Sequence, residues 1–442
     1  MLASLLISFG LLVAPQAVSV GPLAPANVRP TIGVQAKPNV ILIIADDFGV
    51  DFLGAYGEGS NPPCTPNIDA LATESLLFRN AWTNPVCTPT RAAILTGRYG
   101  FRTGMGGVGG NVGLPLAELC LPEMLRGYST AAVGKWHLAG NLGNLHPNET
   151  GFGYYAGSLQ GGLPDYFLWN KVSNGSSSQV TTYATTDTTD EAIAAISSMP
   201  EPWFCYVAYN SPHSPWHLPP DELCPGQGNC NQVFCGTLPQ GASNSRKGKA
   251  MTEAMDTELG RLLAVIDQVD PDAYVIFMGD NGTPPQLTQS PFAPNHAKGT
   301  MYEGGVNVPM MVRGPTVTAG ESQGLVSSVD MFATLSELCG SNATTADSVS
   351  MVPYFSNSSL MLRSTVYSES FLPNGSFPPI ADHSRAIRDA RYKLIRINGQ
   401  ADEFYDLDND SFETANLLPN LTAAEQASFD FLEAELVSLG VE

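Results

Sequence analysis

Basic residues are scarce in this chain. Its 442 residues include 21 Lys and Arg against 42 Asp and Glu, which gives a formal net charge of −21 at pH 7. Proteins that bind nucleic acid depend on Lys and Arg to neutralise phosphates, so this balance excludes nucleic acid as a partner. The mean field of so acidic a protein also repels anions, which weighs at first against an anionic substrate.

Long apolar runs are also lacking beyond the first 20 residues. Residues 2–20 form one apolar stretch, which is followed by small residues and proline. This pattern predicts a signal peptide over residues 1–22, with an approximate cleavage site; the alternative is an N-terminal membrane anchor. We therefore expect a secreted, periplasmic or otherwise extracytoplasmic protein, with no stable membrane insertion once the signal is removed.

The eight cysteines include no pair with the Cys-x-x-Cys spacing that is typical of zinc sites. Three of them, Cys224, Cys230 and Cys235, lie within twelve residues in a stretch rich in Gly, Pro and Asn. No histidine accompanies them, so this segment favours a disulfide over a metal site. Disulfides fit an oxidising compartment.

From about residue 38 the chain alternates short apolar runs with helical patterns. Residues 39–45 form a continuous β-branched run, which is typical of a strand buried on both faces, and residues 131–134, 203–209 and 274–278 are similar. Apolar residues at helical spacing predict an amphipathic helix over residues 247–269. Strands that alternate with helices predict an α/β fold with a large, mostly parallel central sheet.

The pattern changes after about residue 345, where Ser, Asn and Pro become frequent. Residues 392–397 and 403–407 flank an Asn398-Gly399 turn, which predicts a hairpin. Thr422 and Glu425 form a capping box that opens a final helix. We expect a main domain over residues 37–345, which carries the chemistry below, and a smaller C-terminal α+β subdomain over residues 346–442 with an antiparallel sheet.

Polar residues follow four of the predicted strands. Asp46 and Asp47 follow the first strand, Lys135 and His137 the strand near residue 131, His213 the strand near residue 205, and Asp280 and Asn281 the strand near residue 276. In α/β sheets, ligands bind outside the carboxyl ends of the strands. These residues therefore predict one convergent site.

The oxygen ligands at these strand ends indicate a cation. Three neighbouring carboxylates, Asp46, Asp47 and Asp280, would repel one another unless a cation neutralised them. Together with the amide of Asn281 they offer oxygen ligands, which suit calcium or magnesium rather than zinc. The alternative is that the aspartates cap a helix and form an ordinary turn.

A further motif is Cys87-Thr88-Pro89-Thr90-Arg91. Pro89 suits a helix start, because its missing N–H would be unpaired there in any case. Cys87 would then lie just before a helix N-terminus, where an anion is stabilised. The cysteine is either a reactive thiolate or a buried or disulfide-bonded residue.

These motifs resemble those of the formylglycine-dependent, arylsulfatase-type sulfatases of the alkaline phosphatase superfamily. Residues 87–91 match the family's Cys-x-Pro-x-Arg signature, with Thr90 where serine is commonest. The other matching segments keep the family's order: residues 45–49, 95–98, 127–138, 212–213, 279–282, 298–305, 308–310, 385–394 and 405–410.

The resemblance implies an alkaline-phosphatase-like α/β/α sandwich and the hydrolysis of sulfate monoesters of aryl or carbohydrate alcohols. A formylglycine-generating enzyme would convert Cys87 to formylglycine, whose gem-diol is the nucleophile and also ligates a divalent cation, calcium first and magnesium second. Asp46, Asp47, Asp280 and Asn281 would be the other metal ligands. The partner would be a sulfated small molecule or a sulfated glycan.

The resemblance also assigns roles to the remaining site residues. His213, with Lys298, would protonate the leaving oxygen, and His137 would deprotonate the second hydroxyl so that sulfate is expelled. Arg91 and Lys135 would hold the gem-diol and the sulfate charge. The local field would then be positive inside a negative shell, and the acidic composition would not exclude a sulfate ester.

Two alternatives stay open for the function: a phosphonate monoester hydrolase or phosphodiesterase of the same superfamily, and a catalytically silent homologue that binds sulfated glycans. His217 competes with His213 for its role or lines the entrance, and His296 is ambiguous. We interpret Lys393 and Arg396 as strand-surface charges and Trp136 as a packing residue.

Overall fold

Residues 37–226, 230–341 and 343–441 are described by a computed structural model of the chain. The predicted signal peptide, residues 1–22, lies outside these ranges. Within them, ten strands form one sheet: β1 (Val40–Ala45), β2 (Leu76–Trp82), β3 (Ser129–Gly134), β4 (Tyr154–Gly157), β5 (Trp169–Ser173), β6 (Ser176–Val180), β7 (Trp203–Ala208), β8 (Tyr274–Gly279), β9 (Met310–Arg313) and β10 (Gly320–Ser327).

The strand order in this sheet is β10-β2-β9-β8-β1-β7-β3-β4-β5-β6. The central strands β8, β1, β7, β3 and β4 pair parallel with one another, and β10 pairs parallel with β2. Strands β9, β5 and β6 pair antiparallel with their neighbours. Parallel strands require crossover connections, which here contain helices and place the carboxyl ends of β8, β1, β7 and β3 along one edge. The predicted α/β class with a large, mostly parallel sheet is confirmed.

Helices cover both faces of this sheet. The helices of the described chain are α1 (Pro66–Thr73), α2 (Cys87–Thr96), α3 (Gly100–Thr103), α4 (Leu121–Met124), α5 (His146–Glu149), α6 (Ala184–Ser198), α7 (Asn244–Val269), α8 (Glu303–Val306), α9 (Asp330–Leu338), α10 (Val352–Ser356) and α11 (Ala423–Ser438). The predicted amphipathic helix over residues 247–269 is confirmed as α7, which begins three residues earlier.

The alternation of side chains along β1 explains the three layers. Val40, Leu42 and Ile44 pack in one core with residues of α2 and α9, while Ile41 and Ile43 pack in a second core with α1, α6 and α7. Because both faces are covered, β1 is apolar throughout, as expected for a doubly covered parallel strand.

Four more strands, β11 (Val366–Phe371), β12 (His383–Arg388), β13 (Tyr392–Ile397) and β14 (Glu403–Asp406), form an antiparallel sheet in chain order. The predicted hairpin is β13 and β14. The capping box is also confirmed: the Glu425 N–H donates to Thr422 Oγ1 at 3.3 Å, and the Thr422 N–H donates to Glu425 Oε2 at 2.7 Å. The domain boundary at residues 345 and 346 stays a prediction.

Lys393 corrects one interpretation. It is fully buried rather than a strand-surface charge, and its Nζ lies 3.0 Å from Glu303 Oε1 and 2.7 Å from Glu413 Oε1. Both faces of the small sheet are covered, one by α11 and the other by the main sheet, where Trp82 lies under the Lys393 ammonium. The alternation of side chains along β13 alone does not show that the main sheet covers the second face of the small sheet. Arg396 is half-buried and pairs with Asp402 and Glu433, so its interpretation as a strand-surface charge is only partly confirmed.

The predicted disulfide in the cysteine-rich segment is confirmed between Cys224 and Cys235. Cys230 instead pairs with Cys64, which is 166 residues away and which the spacing gave no reason to choose. In the described part of the chain, no helix combines the length and the apolarity that crossing a bilayer requires.

Candidate active site

The carboxyl ends of the four central strands meet at one place. The Asp46 N–H after β1 donates to the carbonyl of Ser211 after β7 at 3.1 Å. The Asp280 N–H after β8 donates to the carbonyl of Ala45 at 3.1 Å, and the Lys135 N–H after β3 donates to the carbonyl of Ala208 at 2.8 Å. These main-chain bonds hold the polar residues that follow each strand side by side.

Cys87 lies at the centre of this group, at the first residue of α2 rather than just before it. Its side chain is a free thiol, and its Sγ lies 3.4 Å from Lys135 Nζ and 4.0 Å from Lys298 Nζ. Burial raises the thiol pKa to about 12 despite the two ammonium groups. Burial therefore opposes the thiolate form that the reactive-thiolate interpretation requires.

Thr90 fixes the entry to α2. Its Oγ1 accepts from the Asn84 N–H at 3.0 Å and lies 3.2 Å from the Asn84 and Val86 carbonyls, to which it can donate. The hydroxyl thus closes the loop immediately before Cys87. Threonine supplies the same hydroxyl as serine, so the departure from the commonest family residue leaves this loop intact.

Arg91 is fully buried and ties three strand ends together. Its Nε and Nη2 donate to Asp280 Oδ2 at 3.0 and 2.7 Å, and its Nη1 donates to the Lys135 carbonyl at 2.9 Å. The other oxygen of Asp280 accepts from the Asp47 N–H at 3.0 Å. Two charge-assisted hydrogen bonds on one oxygen and a main-chain N–H on the other fix the orientation of the carboxylate.

The two adjacent aspartates each take one lysine. Lys135 Nζ donates to Asp46 Oδ2 at 2.5 Å, and Lys298 Nζ donates to Asp47 Oδ1. Asn281 Nδ2 also donates to Asp47 Oδ1, at 2.9 Å. Asp47 adopts a left-handed backbone conformation with φ of 64°, which points consecutive carboxylates into the same site.

The charges perturb one another strongly. Burial raises the pKa of Asp46 to about 6, although Lys135 opposes the shift. Burial acts in the same direction on Asp47, but there Lys298 and His213 outweigh it and lower the pKa to about 2. The pKa of Asp280 is also lowered, because Arg91 and Lys135 outweigh its burial.

These residues fit a hard divalent cation. Asp46 Oδ1 and Asn281 Oδ1 are buried and have no hydrogen-bond partner in the described structure. One ligand atom from each of Asp46, Cys87 and Asp280 lies within 4.8 Å of the others, and the same holds for Asp47, Cys87 and His213. Oxygen atoms that lack donors and converge in this way are suitable ligands for calcium or magnesium.

His137 has an unusual backbone and an unpaired ring nitrogen. Its φ is 61°, and its buried Nδ1 makes no hydrogen bond within the described residues. A Cβ at Gly161 would lie 2.1 Å from His137 Nε2, so only glycine fits beside the ring. Burial lowers the pKa of His137 well below its ordinary value, and Lys135 and Arg91 add to the shift. The imidazole is therefore neutral at neutral pH.

His213 is half-buried, and its Nε2 lies 4.0 Å from Asp47 Oδ2. Its Nδ1 lies 2.7 Å from the Ser214 carbonyl, which makes Nδ1 the protonated nitrogen when the ring is neutral. The Tyr166 hydroxyl lies 2.7 Å from the His213 carbonyl and 2.6 Å from the Asn210 carbonyl, to which it can donate. The ring is thus held with Nε2 toward the site.

The structure does not bring the other candidate histidines into this group. His217 Nε2 lies 3.0 Å from the Tyr183 hydroxyl, and its ring packs against Tyr166 and Phe167. His296 stacks on Tyr302. The interpretation of Trp136 as a packing residue is confirmed, because it is buried in the core and its Nε1 donates to His146 Nδ1 at 2.9 Å.

Sequence reasoning missed two supports of the site, Tyr166 and the Gly161-Gly162 pair. The glycine pair was visible as a turn signal between strands, but only the fold shows that it lies against His137 and His213. Nothing in the sequence separates Tyr166 from the other tyrosines.

Comparisons with known proteins agree with this geometry. The sequence model of the Sulfatase family matches residues 38–341, and that of the C-terminal region of N-sulphoglucosamine sulphohydrolase matches residues 295–439. The chain is 31% identical to N-acetylgalactosamine-6-sulfatase of Homo sapiens over 386 residues, which cover 76% of this chain and 69% of that protein. The corresponding match to the Sus scrofa enzyme is 30% identical and covers 70% of this chain and 63% of that protein.

Arylsulfatase A of Homo sapiens is 29% identical over 411 residues, which cover 82% of this chain and 75% of that protein. Among solved structures, Ps i-CgsB in complex with k-i-k-neocarrahexaose superimposes with a TM-score of 0.75 at 28% identity, covering 90% of this chain and 92% of that one. The chain therefore belongs to the sulfatases of the alkaline phosphatase superfamily, a family of sulfuric ester hydrolases.

Proposed function

We propose that this protein hydrolyses carbohydrate sulfate monoesters to alcohol and sulfate, with formylglycine made from Cys87 as the nucleophilic residue. The observation that carries the proposal is the setting of Cys87, a free thiol between two ammonium groups and two sets of potential metal ligands. Family membership and the pairing of Ps i-CgsB with a carbohydrate support the substrate class.

The nucleophile requires a modification of the chain. A formylglycine-generating enzyme is the partner that would oxidise the Cys87 thiol to an aldehyde, and the hydrated aldehyde supplies the attacking hydroxyl. The high pKa of the thiol supports this reading, because an unmodified Cys87 would be a poor nucleophile at neutral pH.

We infer that the cation is calcium, with magnesium as the alternative. Asp46, Asp47, Asp280, Asn281 and the side chain at position 87 would hold it. Calcium accepts six to eight oxygen ligands, whereas magnesium usually keeps several waters and one or two carboxylates. When bound, the cation supplies Lewis acidity at the sulfuryl oxygens and lowers the pKa of a coordinated hydroxyl.

The chain's own cations would bind the sulfate group. Lys135 and Lys298 lie on two sides of position 87, and both side chains have raised pKa values because burial is outweighed by their aspartate partners. Arg91 keeps Asp280 and the Lys135 backbone in place. Fixed donors of this kind stabilise the charge that develops on a transferring group.

Two histidines would move the protons. His213 Nε2, when protonated, would donate to the leaving ester oxygen, and the Nδ1 contact with the Ser214 carbonyl keeps Nε2 directed at the site. His137 would accept a proton when sulfate is expelled, because its depressed pKa leaves it neutral and its Nδ1 has no other partner in the described chain.

The disulfides and the N-terminal apolar stretch bear on the compartment in which the protein acts. The two disulfides and the apolar stretch over residues 2–20 support an extracytoplasmic location, where an oxidising environment keeps such bonds intact. Detection of the mature protein outside the cytoplasm by fractionation would test this part of the proposal.

A substrate panel tests the activity. Release of the alcohol or phenol product would be compared for 4-nitrocatechol sulfate, sulfated mono- and disaccharides, phosphate diesters and phosphonate monoesters, with protein co-expressed with a formylglycine-generating enzyme. We expect the highest kcat/KM for a carbohydrate sulfate. Faster turnover of a phosphodiester or phosphonate would contradict the assignment.

The modification has its own test. The tryptic peptide of residues 80–91 contains Cys87, and conversion of the thiol to an aldehyde lowers its mass by about 18 Da. An unmodified peptide in protein from the native host would point instead to a silent sulfate-binding homologue.

A further inference from the structure

A cavity of about 230 Å³ lies next to the two active-site histidines, between residues 158–164 and the β5–β6 hairpin. None of the described residues that line it has an ionisable side chain. The catalytic centre beside it contains many charged side chains, so the cavity lining differs from it in being uncharged. A charged ligand group that lost water here would find no side chain of opposite charge among these residues.

The polar lining can still recognise hydroxyl groups. Gln160, Asn170 and Ser177 are exposed, and their side chains make no hydrogen bond within the described part of the chain. Each amide offers both donors and an acceptor, as sugar hydroxyls require. Leu163 and Val172 are buried and provide apolar surface for the face of a ring. Drug-sized ligands occupy about 300–1,000 Å³, so this cavity suits a single ring.

The main chain of residues 159–162, part of which lines the cavity, approaches both histidines closely. The Leu159 carbonyl accepts from the His137 N–H at 3.2 Å. A Cβ at Gly162 would lie 3.5 Å from His213 Cε1, and Gly161 leaves no room for a side chain beside His137. A ligand that reaches over this glycine pair would have adjacent units in the two sites.

We infer that this cavity binds an uncharged monosaccharide unit adjacent to the unit that carries the reacting sulfate. The inference rests on the proposed sulfate-ester hydrolysis and narrows its substrate class to oligosaccharides in which a sulfated unit adjoins a neutral hexose. A hexuronate or a second sulfate at the adjoining position would meet a cavity without a cationic side chain.

The test compares substrates with and without the adjoining unit. Parent protein and the double variant Gln160→Ala/Asn170→Ala would be assayed with 4-nitrocatechol sulfate and with disaccharides that join a sulfated galactose, N-acetylgalactosamine or glucosamine to a hexose or to a hexuronic acid. Gln268→Ala, which removes an exposed amide of α7 that does not line the cavity, is the matched control.

For the best hexose disaccharide, we expect the double variant to raise KM about 10- to 100-fold with kcat nearly unchanged, as the loss of one or two hydrogen bonds implies. Turnover of 4-nitrocatechol sulfate should stay at the parent level, and the parent should prefer the hexose disaccharide to its hexuronate analogue by about tenfold or more.

The inference is overturned if the double variant matches the control on disaccharides, or if the hexuronate analogue is preferred. Hydrolysis of 4-nitrocatechol sulfate without any gain from a second sugar would also overturn it while leaving sulfatase activity standing. Failure of the modified, metal-loaded protein to hydrolyse any sulfate ester would instead remove the proposed function itself.

Discussion

Two clusters of buried charge in this protein resemble each other in composition but differ in how closely their oxygen atoms are paired with donors and cations. The first, called the catalytic cluster after its proposed role, surrounds Cys87 and consists of Asp46, Asp47, Arg91, Lys135, Asp280 and Lys298. The junction cluster lies where the small sheet meets the main one and consists of Glu303, Arg388, Lys393 and Glu413. Each has as many carboxylates as cations.

The junction cluster pairs its carboxylates with its own cations at short range, although Glu413 Oε1 has no hydrogen-bond partner within the described residues. Lys393 contacts both glutamates, the Glu303 N–H donates to Glu413 Oε2 at 2.5 Å, and Trp82 Nε1 donates to Glu303 Oε2 at 3.4 Å. In the catalytic cluster the Oδ1 atoms of Asp46 and Asn281 have no donor in the described structure, and Asp46 Oδ1 lies 3.8 Å from Arg91 Nη2, whereas Glu413 Oε1 lies 2.7 Å from Lys393 Nζ. Buried charge alone is therefore a poor sign of a functional site, whereas unpaired oxygens that lie beside further converging ligand atoms fit a bound cation.

The charges of the catalytic cluster also explain how a protein with an acidic composition could bind an anionic substrate. The three carboxylates and three cations of the catalytic cluster balance, so a bound divalent cation would leave a local charge of about +2. A sulfate monoester carries one negative charge and would be attracted to that centre at short range. The net charge of −21 acts over longer distances, where salt screens it.

The largest expected effect comes from removing the proposed nucleophile, Cys87, which only the catalytic cluster surrounds. Replacement of Cys87 by alanine should reduce kcat by at least about 10⁴-fold, as loss of a nucleophile does in other hydrolases, with little loss of stability. Cys205→Ala, which removes another buried free thiol from the core, is the control and should retain activity. Residual activity within tenfold of the parent in Cys87→Ala would show that the site works without residue 87.

Metal removal should affect the catalytic cluster alone. Chelation should lower kcat by about 100-fold or more, because Lewis acidity contributes several kcal/mol, and calcium or magnesium should restore it. Calcium should also raise the Tm of the parent more than that of Asn281→Ala, since binding to the folded state stabilises it. The exposed amide variant Asn357→Ala is the control. Full activity in demonstrably metal-free protein would refute the cation site.

The sequence allowed prediction of the catalytic cluster but not of the junction cluster, and the reason is physical. Asp46, Lys135, His213 and Asp280 each follow a strand, and parallel strands carry their ends to one edge, so local pattern implies proximity. Lys393 lies in a strand whose second face is covered by a distant part of the chain, which no local pattern reports. The Cys64–Cys230 disulfide and the contact of Gly161 with His137 also join distant parts of the chain, so the sequence did not predict them.

Loss of Lys393 should damage stability rather than chemistry. Lys393→Met leaves Glu303 and Glu413 buried with one fewer cation, and breaking such a pair costs about 3–5 kcal/mol in the free energy of unfolding. Urea denaturation measures this, while kcat/KM of the folded protein should stay within about twofold of the parent. Arg396→Met, on the same strand but half-buried, should cost under about 1 kcal/mol. If Lys393→Met were as stable as the parent but had a low kcat, the structural role would be wrong and Lys393 would contribute to catalysis.

The smallest effect concerns the protonation of the junction cluster. Burial raises the pKa of Glu413 to about 7, with Glu303 adding to the shift and Lys393 opposing it. Since the folded pKa exceeds the unfolded one, Glu413 stabilises the fold fully below its unfolded pKa, and this contribution is lost as the pH rises through about 7. Glu413→Gln does not titrate, so between about pH 5 and pH 8 the unfolding free energy of the parent should fall relative to this variant by on the order of 1 kcal/mol or more.

Urea unfolding of both proteins at the two pH values measures the difference. Glu425→Gln is the control: Glu425 accepts hydrogen bonds at the start of α11, which lowers its pKa, so it titrates below this window. Equal slopes for parent and Glu413→Gln would mean that Glu413 is already ionised in the folded protein at about pH 5. The junction cluster would then hold its full charge, and the direct contact of Lys393 with both glutamates, not protonation, would be what distinguishes it from the catalytic cluster.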